Sequence, residues 1–148
     1  MGRGESWKIG RWEDKKIGGL GMERKKDLKH FRDLEVYHTA FDAAMRIFEF
    51  TKTFPNEEKY SLTDQIRRSS RSVCSNLAEG WRKRRYKAVF CNKLTDSMQE
   101  ASETQTWLEF SLTCKYIDMT LFEELDLEYE KIIRMLNSME MNADKFCY

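Results

Sequence analysis

Between residues 81 and 87 the chain reads WRKRRYK. Five cations, Arg82, Lys83, Arg84, Arg85 and Lys87, are interleaved with the rings of Trp81 and Tyr86. Three more arginines, Arg67, Arg68 and Arg71, precede them. Guanidinium groups make forked hydrogen bonds to phosphate oxygens, and aromatic planes stack on nucleobases. This mixture is the chemistry of polyanion contact. The plainer account is a solvated helix junction, but a surface serving solubility alone mixes both signs. Residues 61–93 instead carry nine basic side chains against two acidic ones, Asp64 and Glu79. No groove-reading motif accompanies the run, so contact with backbone phosphates, not sequence readout, is what it suggests.

Just upstream, Asn76 and Glu79 stand at the border of an apolar stripe. Two arrangements suit them. In one, Glu79 pairs with Arg82 or Lys83 along its own helix, worth about 0.3 kcal/mol. In the other, the pair joins Gln65, or Gln105 and Glu103, in a polar network that fixes helix register.

Catalytic and metal chemistry find less support. His30 and His38 are eight residues apart, outside the three- or four-residue spacing that places two ligands on one helix face. Glu100 and Glu103 share a face but lack the histidine of a di-metal carboxylate helix. There is no nucleophile elbow, no glycine-rich phosphate loop and no H-E-x-x-H. The serines of RRSSRSVCSN are read as packing and solvation. The expectation is a non-catalytic protein with no metal and no cofactor. Cys74, Cys91, Cys114 and Cys147 form no C-x-x-C pair and read as reduced thiols of a cytoplasmic protein. No apolar run approaches the ~18–20 residues of a membrane span, and the N-terminus lacks the apolar core of a signal peptide.

These residues need elements to hold them. Of the seven glycines in 148 residues, six fall in the first 21, and Pro55 is the single proline. From Met22 onward only Gly80 and Pro55 punctuate the chain, which implies long helices. A first helix is predicted over 33–53 from Val36, Tyr37, Ala40, Phe41, Ala44, Ile47, Phe48 and Thr51, ending before Pro55. A second starts between 57 and 61 and ends near Gly80, which reads as a C-cap or kink. The third is predicted over 84–116. A fourth starts at a capping box of Thr120 and Glu123 and carries Leu125, Tyr129, Ile132, Leu136 and Met139 at alternating steps of four and three, a bundle seam.

The fold class is therefore all-α, an antiparallel up-and-down four-helix bundle over residues 22–139. Residues 1–21 read as a disordered basic tail, either an over-extended gene start or a basic arm whose Trp7 and Trp12 stack on bases. Residues 140–148 read as a frayed end. Tyr37, Phe48, Phe50, Trp107, Phe110 and Phe122 are more aromatic surface than one bundle buries, which argues for self-association. The last helix is acidic: residues 94–148 carry four basic and twelve acidic groups, so charge is segregated along the chain.

With these pieces in place, FRDLEVY at residues 31–37, YSLTDQIRRSS at 60–70, SVCSNLAEGWRKRRY at 72–86, ETQTWLEF at 103–110 and CKYI at 114–117 resemble the bacterial four-helix bundle proteins related to the 23S rRNA intervening-sequence protein. Accessory proteins of diversity-generating retroelements belong to the same wider family. The resemblance covers about Phe31 to Met139. It implies a four-helix protomer in a ring-like homopentamer, with a basic surface for nucleic acid. The family's arginines carry over onto Arg67, Arg68, Arg82, Arg84 and Arg85, and its Asn and Glu onto Asn76 and Glu79. After Gly80 many members have a small residue and then Ser or Thr, where this chain has WRKRRYKAVF. That departure counts against the retroelement role, which also needs a reverse transcriptase partner, without excluding it. Residues 1–21 have no counterpart in the pattern.

The reading that follows is a cytoplasmic homo-oligomer that binds structured RNA or DNA through Arg67, Arg68, Arg71, Arg82, Lys83, Arg84, Arg85 and Lys87. The alternative is an assembly protein whose basic patch docks an acidic protein, such as the fourth helix of a neighbouring copy.

Overall fold

The computed structural model describes residues 28–148. The tail predicted over 1–21 and the lead-in from Met22 to Asp27 lie outside the described residues.

The apolar stripes become four helices: α1 (Glu35–Thr51), α2 (Leu62–Arg82), α3 (Lys87–Thr113) and α4 (Met119–Met141). Short 3₁₀ turns sit at Phe31–Asp33, Asn56–Glu58 and Ala143–Lys145, and no strand occurs among the described residues. Each helix packs on the next, and α1 closes the square against α4. This is the up-and-down bundle expected. The predicted α4 seam is the buried one: Leu125, Tyr129, Ile132, Leu136 and Met139 face the core.

The α2–α3 pair sets the tightest spacing. Its contact includes Ser69, Ser97 and Thr104, all buried. Small side chains let two helix backbones approach, provided their hydroxyls find partners. They do: Ser69 Oγ lies 2.8 Å from Thr104 Oγ1, and Ser97 Oγ donates to the Val73 carbonyl at 2.8 Å. Thr104 in turn donates to the Glu100 carbonyl at 2.9 Å.

Gly80 belongs to this packing and is not a C-cap. It is buried inside the last turn of α2, which runs on to Arg82 and is capped at Lys83. A Cβ placed on Gly80 would lie 2.8 Å from Lys93 Cβ. That atom is fixed to the α3 backbone and cannot swing away, so only a residue without a Cβ fits.

Helix ends account for the other differences from the sequence reading. Asp33 does not open α1. Its carboxylate accepts from the backbone N–H of Lys29 and His30, closing the 3₁₀ turn before Leu34. Buried His38 fastens that turn to α1, donating from Nε2 to the Arg32 carbonyl at 2.6 Å. α3 stops at Thr113 because Lys115 is left-handed, with φ 65°. Tyr116 N–H then bonds the Ser111 carbonyl and Lys115 N–H the Leu112 carbonyl, both at 2.9 Å. This pattern is a Schellman motif, built on lysine where glycine is usual. α4 begins earlier than the Thr120–Glu123 box: Asp118 is its N-cap and accepts from Leu121 N–H at 2.9 Å.

The last residues correct the expected fraying. α4 runs on to Met141, a 3₁₀ turn follows, and Ala143 is buried. Phe146 then packs with its ring 6.1 Å from Trp81 and 6.2 Å from Phe90. Two aromatic contacts of this kind, with the burial of Ala143, offset part of the entropy of ordering the terminal residues.

Two substitutions test the backbone account with opposite signs. Gly80→Ala gains ~1 kcal/mol of helix propensity but forces α2 and α3 apart at a cost of roughly 1–3 kcal/mol, so a net loss of up to roughly 2 kcal/mol is expected in urea denaturation. Lys115→Gly relieves a left-handed lysine and raises stability by roughly 1 kcal/mol. A stabilised Gly80→Ala variant would contradict the close approach, and an unchanged Lys115→Gly variant the strain.

Candidate nucleic-acid interface

The antiparallel bundle brings the C-terminal end of α2, the start of α3, the 3₁₀ lead-in and the chain's last residues to one end. Trp81 is buried there, its Nε1 donating to the Lys29 carbonyl at 3.4 Å. Around this ring the cations of the WRKRRYK run divide into two kinds.

Arg84 belongs to the architecture. Its guanidinium lies 3.8 Å from the centroid of Trp81 and 5.5 Å from that of Tyr148. Its Nε donates to the Trp81 carbonyl at 2.8 Å and its Nη1 to the Phe146 carbonyl at 3.5 Å. Lys87 is tied to the same segment by an ion pair, Nζ to Asp144 Oδ1 at 2.8 Å, which raises the lysine pKa through the hydrogen bond first and the Asp144 charge second.

Arg82, Lys83 and Arg85 are different. All three are exposed, and none forms an ion pair among the described residues. Arg82 leans over Phe31 at 5.7 Å, with His30 Nε2 3.4 Å from its Nη2. Arg85 stands beside the exposed ring of Tyr86 at 5.9 Å.

The arginines upstream on α2 do not join this end as one patch. Arg71 lies about 16 Å along the helix from Arg82, and Arg67 about 22 Å, at 1.5 Å rise per residue. Arg67 is half-buried and closes α1: its Nε donates to Thr51 Oγ1 at 2.8 Å and its Nη2 to the Phe48 carbonyl at 3.4 Å. A cation on the last carbonyls of a helix opposes the negative end of its dipole. Burial, and then the neighbouring charge of Arg71, pull the Arg67 pKa down, though a guanidinium stays charged at any physiological pH. Arg71 is exposed, 5.8 Å over Phe48. Arg68 faces α3, its Nη2 donating to Gln65 Oε1 at 3.1 Å and lying 3.4 Å from Glu103 Oε2. Four of the eight cations read from the sequence, Arg71, Arg82, Lys83 and Arg85, are thus exposed without an ion pair among the described residues.

The polar pair is organised by a residue that the sequence reading did not single out. Lys93 Nζ lies 2.7 Å from Glu79 Oε1 and 3.3 Å from Asn76 Oδ1, bridging α3 to α2. Its pKa is raised, chiefly by the hydrogen bond to Glu79. Asn76 Nδ2 donates back to the Ser72 carbonyl at 3.0 Å. Gln65 belongs to the separate Arg68–Glu103 cluster, in which Trp107 Nε1 also donates to Glu103. Gln105 turns to α4 and donates to Asp126 and Glu130. Gly80 held the signal for Lys93: a glycine against an antiparallel neighbour marks where that neighbour's backbone passes.

The opposite end is net acidic, with Glu57, Glu58, Asp118, Glu123 and Glu124 against Lys52, Lys59 and Lys115 around two turns. There Tyr116 OH donates to Glu58 Oε2 at 2.9 Å, which pushes the phenol pKa up to about 12, and the Ser61 hydroxyl first and the Tyr116 phenol second draw Glu58 down. On the side of the bundle, α1 and α2 leave an apolar groove of about 320 Å³ lined by Phe31, Tyr37, Phe41, Ala44, Met45, Cys74 and Ala78, with Arg71 beside them. No group of three or more His, Cys, Asp or Glu among the described residues is placed to hold a metal ion. No helix among them is long and apolar enough to cross a membrane.

Comparison with known proteins agrees with this architecture. No curated protein matches the chain. A crystal structure of a protein of unknown function from the S23 ribosomal protein family of Bacteroides thetaiotaomicron is similar, with a TM-score of 0.64 and 31% identity over 71% of this chain and 97% of that one. The family described as 23S rRNA-intervening sequence protein matches residues 32–138, which takes in all of α1, α2 and α3 and most of α4. The chain belongs to the 23S rRNA-intervening sequence protein family.

Proposed function

We propose that this protein is a non-catalytic binder of nucleic-acid backbones that works as a homo-oligomer, with structured RNA as its first substrate class. One observation carries the reading. At the basic end of the bundle Arg82, Lys83 and Arg85 project into solvent without ion-pair partners among the described residues, beside the exposed ring of Tyr86. Unneutralised cations next to a free aromatic plane suit phosphate contact with occasional base stacking. The family's name, which speaks of 23S rRNA, supports RNA over DNA. All four cysteines are free thiols, which suits the reducing cytoplasm.

Self-association multiplies a weak site. Phe110 is exposed beside Trp107, with ring centroids 5.9 Å apart, and the α1–α2 groove offers apolar surface on another side of the same protomer. Two different sticky faces on one protomer suit a closed ring, where each copy presents one face to each neighbour. A ring would set several copies of Arg82, Lys83 and Arg85 on one side and raise affinity by avidity.

The competing reading, docking of an acidic protein, draws on the exposed carboxylates of α4 such as Glu123 and Glu124. The two readings separate on one variant. Replacing Arg82, Lys83 and Arg85 together with Ala leaves far-UV helicity unchanged, because none of the three holds the fold. Affinity for a structured RNA falls about tenfold at moderate salt, and the slope of log affinity against log salt becomes shallower by about 0.7–0.9 for each phosphate the variant can no longer neutralise. Glu123→Ala with Glu128→Ala is the control and leaves binding equal or stronger. Wild-type affinity and slope in the triple variant would hand the function to the acidic-protein reading. For assembly, sedimentation equilibrium at micromolar concentration gives a mass several times the 17.8 kDa protomer, near fivefold for a pentamer. Met45→Glu, placed in the groove, shifts it toward monomer. A monomeric wild type would remove the avidity.

A further inference from the structure

The C-terminal segment after α4 is a strap laid across the start of α3, and its contacts keep register. On α3, Lys87, Phe90 and Cys91 lie at steps of three and four, so they share a face. On the strap, Phe146 N–H and Cys147 N–H both bond the Ala143 carbonyl, at 2.9 and 3.0 Å, so Asp144 and Cys147 fall one helical turn apart on one side. Lys87 Nζ meets Asp144 Oδ1 at 2.8 Å, and the Phe90 and Phe146 rings meet at 6.2 Å. The next pair along both elements is Cys91 and Cys147. Both are half-buried free thiols.

We propose that Cys91 and Cys147 are a dithiol pair that closes reversibly to a disulfide and so locks the strap onto the basic end of the bundle. The other two cysteines have no such opportunity, since Cys74 is buried between helices and Cys114 is exposed at the C-terminal end of α3. The co-reactant is a small-molecule disulfide of the glutathione class. The Cys91 thiolate attacks one of its sulfurs and releases one thiol, leaving a mixed disulfide. The Cys147 thiolate then attacks Cys91 Sγ and releases the second thiol. Two protein thiols are oxidised, two electrons reduce the small disulfide to two thiols, and the protons pass to the released thiolates. Burial first, and the nearby Cys91 sulfur second, push the Cys147 thiol up, so closure is slow at neutral pH and quickens as pH rises.

The strap matters because of what it holds. Its Phe146 carbonyl engages Arg84 and its Asp144 carboxylate neutralises Lys87. While the thiols are free, only the Phe146 ring, the Lys87–Asp144 ion pair and the Arg84 hydrogen bond hold the strap, so it can yield to a competing ligand. Once locked, it keeps both cations from any polyanion, a consequence that rests on the proposed binding of nucleic-acid backbones at this end.

The full chain treated with oxidised glutathione at alkaline pH, alkylated and mapped without reduction, yields a peptide pair joined Cys91 to Cys147. Cys74, buried, remains alkylatable after unfolding, and exposed Cys114 carries glutathione but no link to another cysteine. Cys91→Ser and Cys147→Ser each abolish the cross-link, and dithiothreitol reverses it. Glutathione retained on Cys91 or Cys147, or cross-links only between chains, would overturn the latch. Heparin, as the polyanion probe, binds the oxidised wild type several-fold more weakly than the reduced, while the Cys91→Ser/Cys147→Ser variant is indifferent to oxidant. Equal heparin binding with the cross-link formed would overturn the shielding of Arg84 and Lys87. Absence of heparin binding in both redox states would overturn the polyanion reading, and the cross-link itself would still decide the latch.

Discussion

The structure depends on how closely α2 and α3 approach. Large side chains at Ser69, Ser97, Thr104 or Gly80 would hold the two helices apart. With small ones they come within reach of buried hydroxyl pairs and of a glycine that leaves no room for a Cβ. The consequences run to the surface. Lys93 is close enough to bridge to Asn76 and Glu79, and the connection from Lys83 to Tyr86 becomes a tight turn folded against Trp81. A longer spacing would turn the same basic run into a loose loop. Burying hydroxyls is costly unless each finds a partner, so the close approach is also self-specifying: a register slip of one residue would break the Ser69–Thr104 and Ser97–Val73 bonds, and Ser97 would lose its partner across the interface.

Charge counted along the sequence overstates the charge on offer at the surface. Arg84 lies over Trp81, and Arg67 is occupied by the last turn of α1. Both remain cations, but a guanidinium that already donates to carbonyls and covers a ring has few free N–H groups for a phosphate. Arg68 and Lys87 sit in ion pairs that compete with any incoming anion, though pairs this exposed hold weakly and are screened by salt. What remains at the basic end is a smaller, better defined set centred on Arg82, Lys83 and Arg85, facing away from an acidic opposite end. That separation gives the protomer a direction in the field of a polyanion, which aligns it before contact.

Much of the fold was legible because it rests on local periodicity. The α4 seam, with Leu125, Tyr129, Ile132, Leu136 and Met139 at alternating steps, needs no knowledge of its partners to be read as a buried stripe. The stops were harder. A left-handed lysine at 115 leaves no glycine to mark the end of α3, and Asp118 competes with Thr120 as a cap on equal chemical terms. The site was legible only in part. Residue types showed that the run from Trp81 to Lys87 carries unusual chemistry. Its division into structural and exposed cations depends on Phe146, which lies 62 residues from Arg84 in the sequence. Neither spacing nor composition reports contacts of that range, and the C-terminal residues, polar and close to the chain end, carry the ordinary marks of fraying.

The strap changes how the two roles of the basic end relate. Trp81 and Phe90 need a cover, and Phe146 supplies it. The cover carries a carboxylate and a carbonyl that occupy Lys87 and Arg84. Closing the core and withholding cations are therefore one event. An anion that captured Arg84 would have to loosen the strap and expose two aromatic rings to water, at about 25 cal/mol for each Å² uncovered. Arg82, Lys83 and Arg85 carry no such linkage, because none of them is tied to the strap and Arg82 meets only His30 and Phe31 of the lead-in turn. First contact thus falls to the three exposed cations, and Arg84 and Lys87 respond only to a ligand strong enough to displace the chain's own C-terminus.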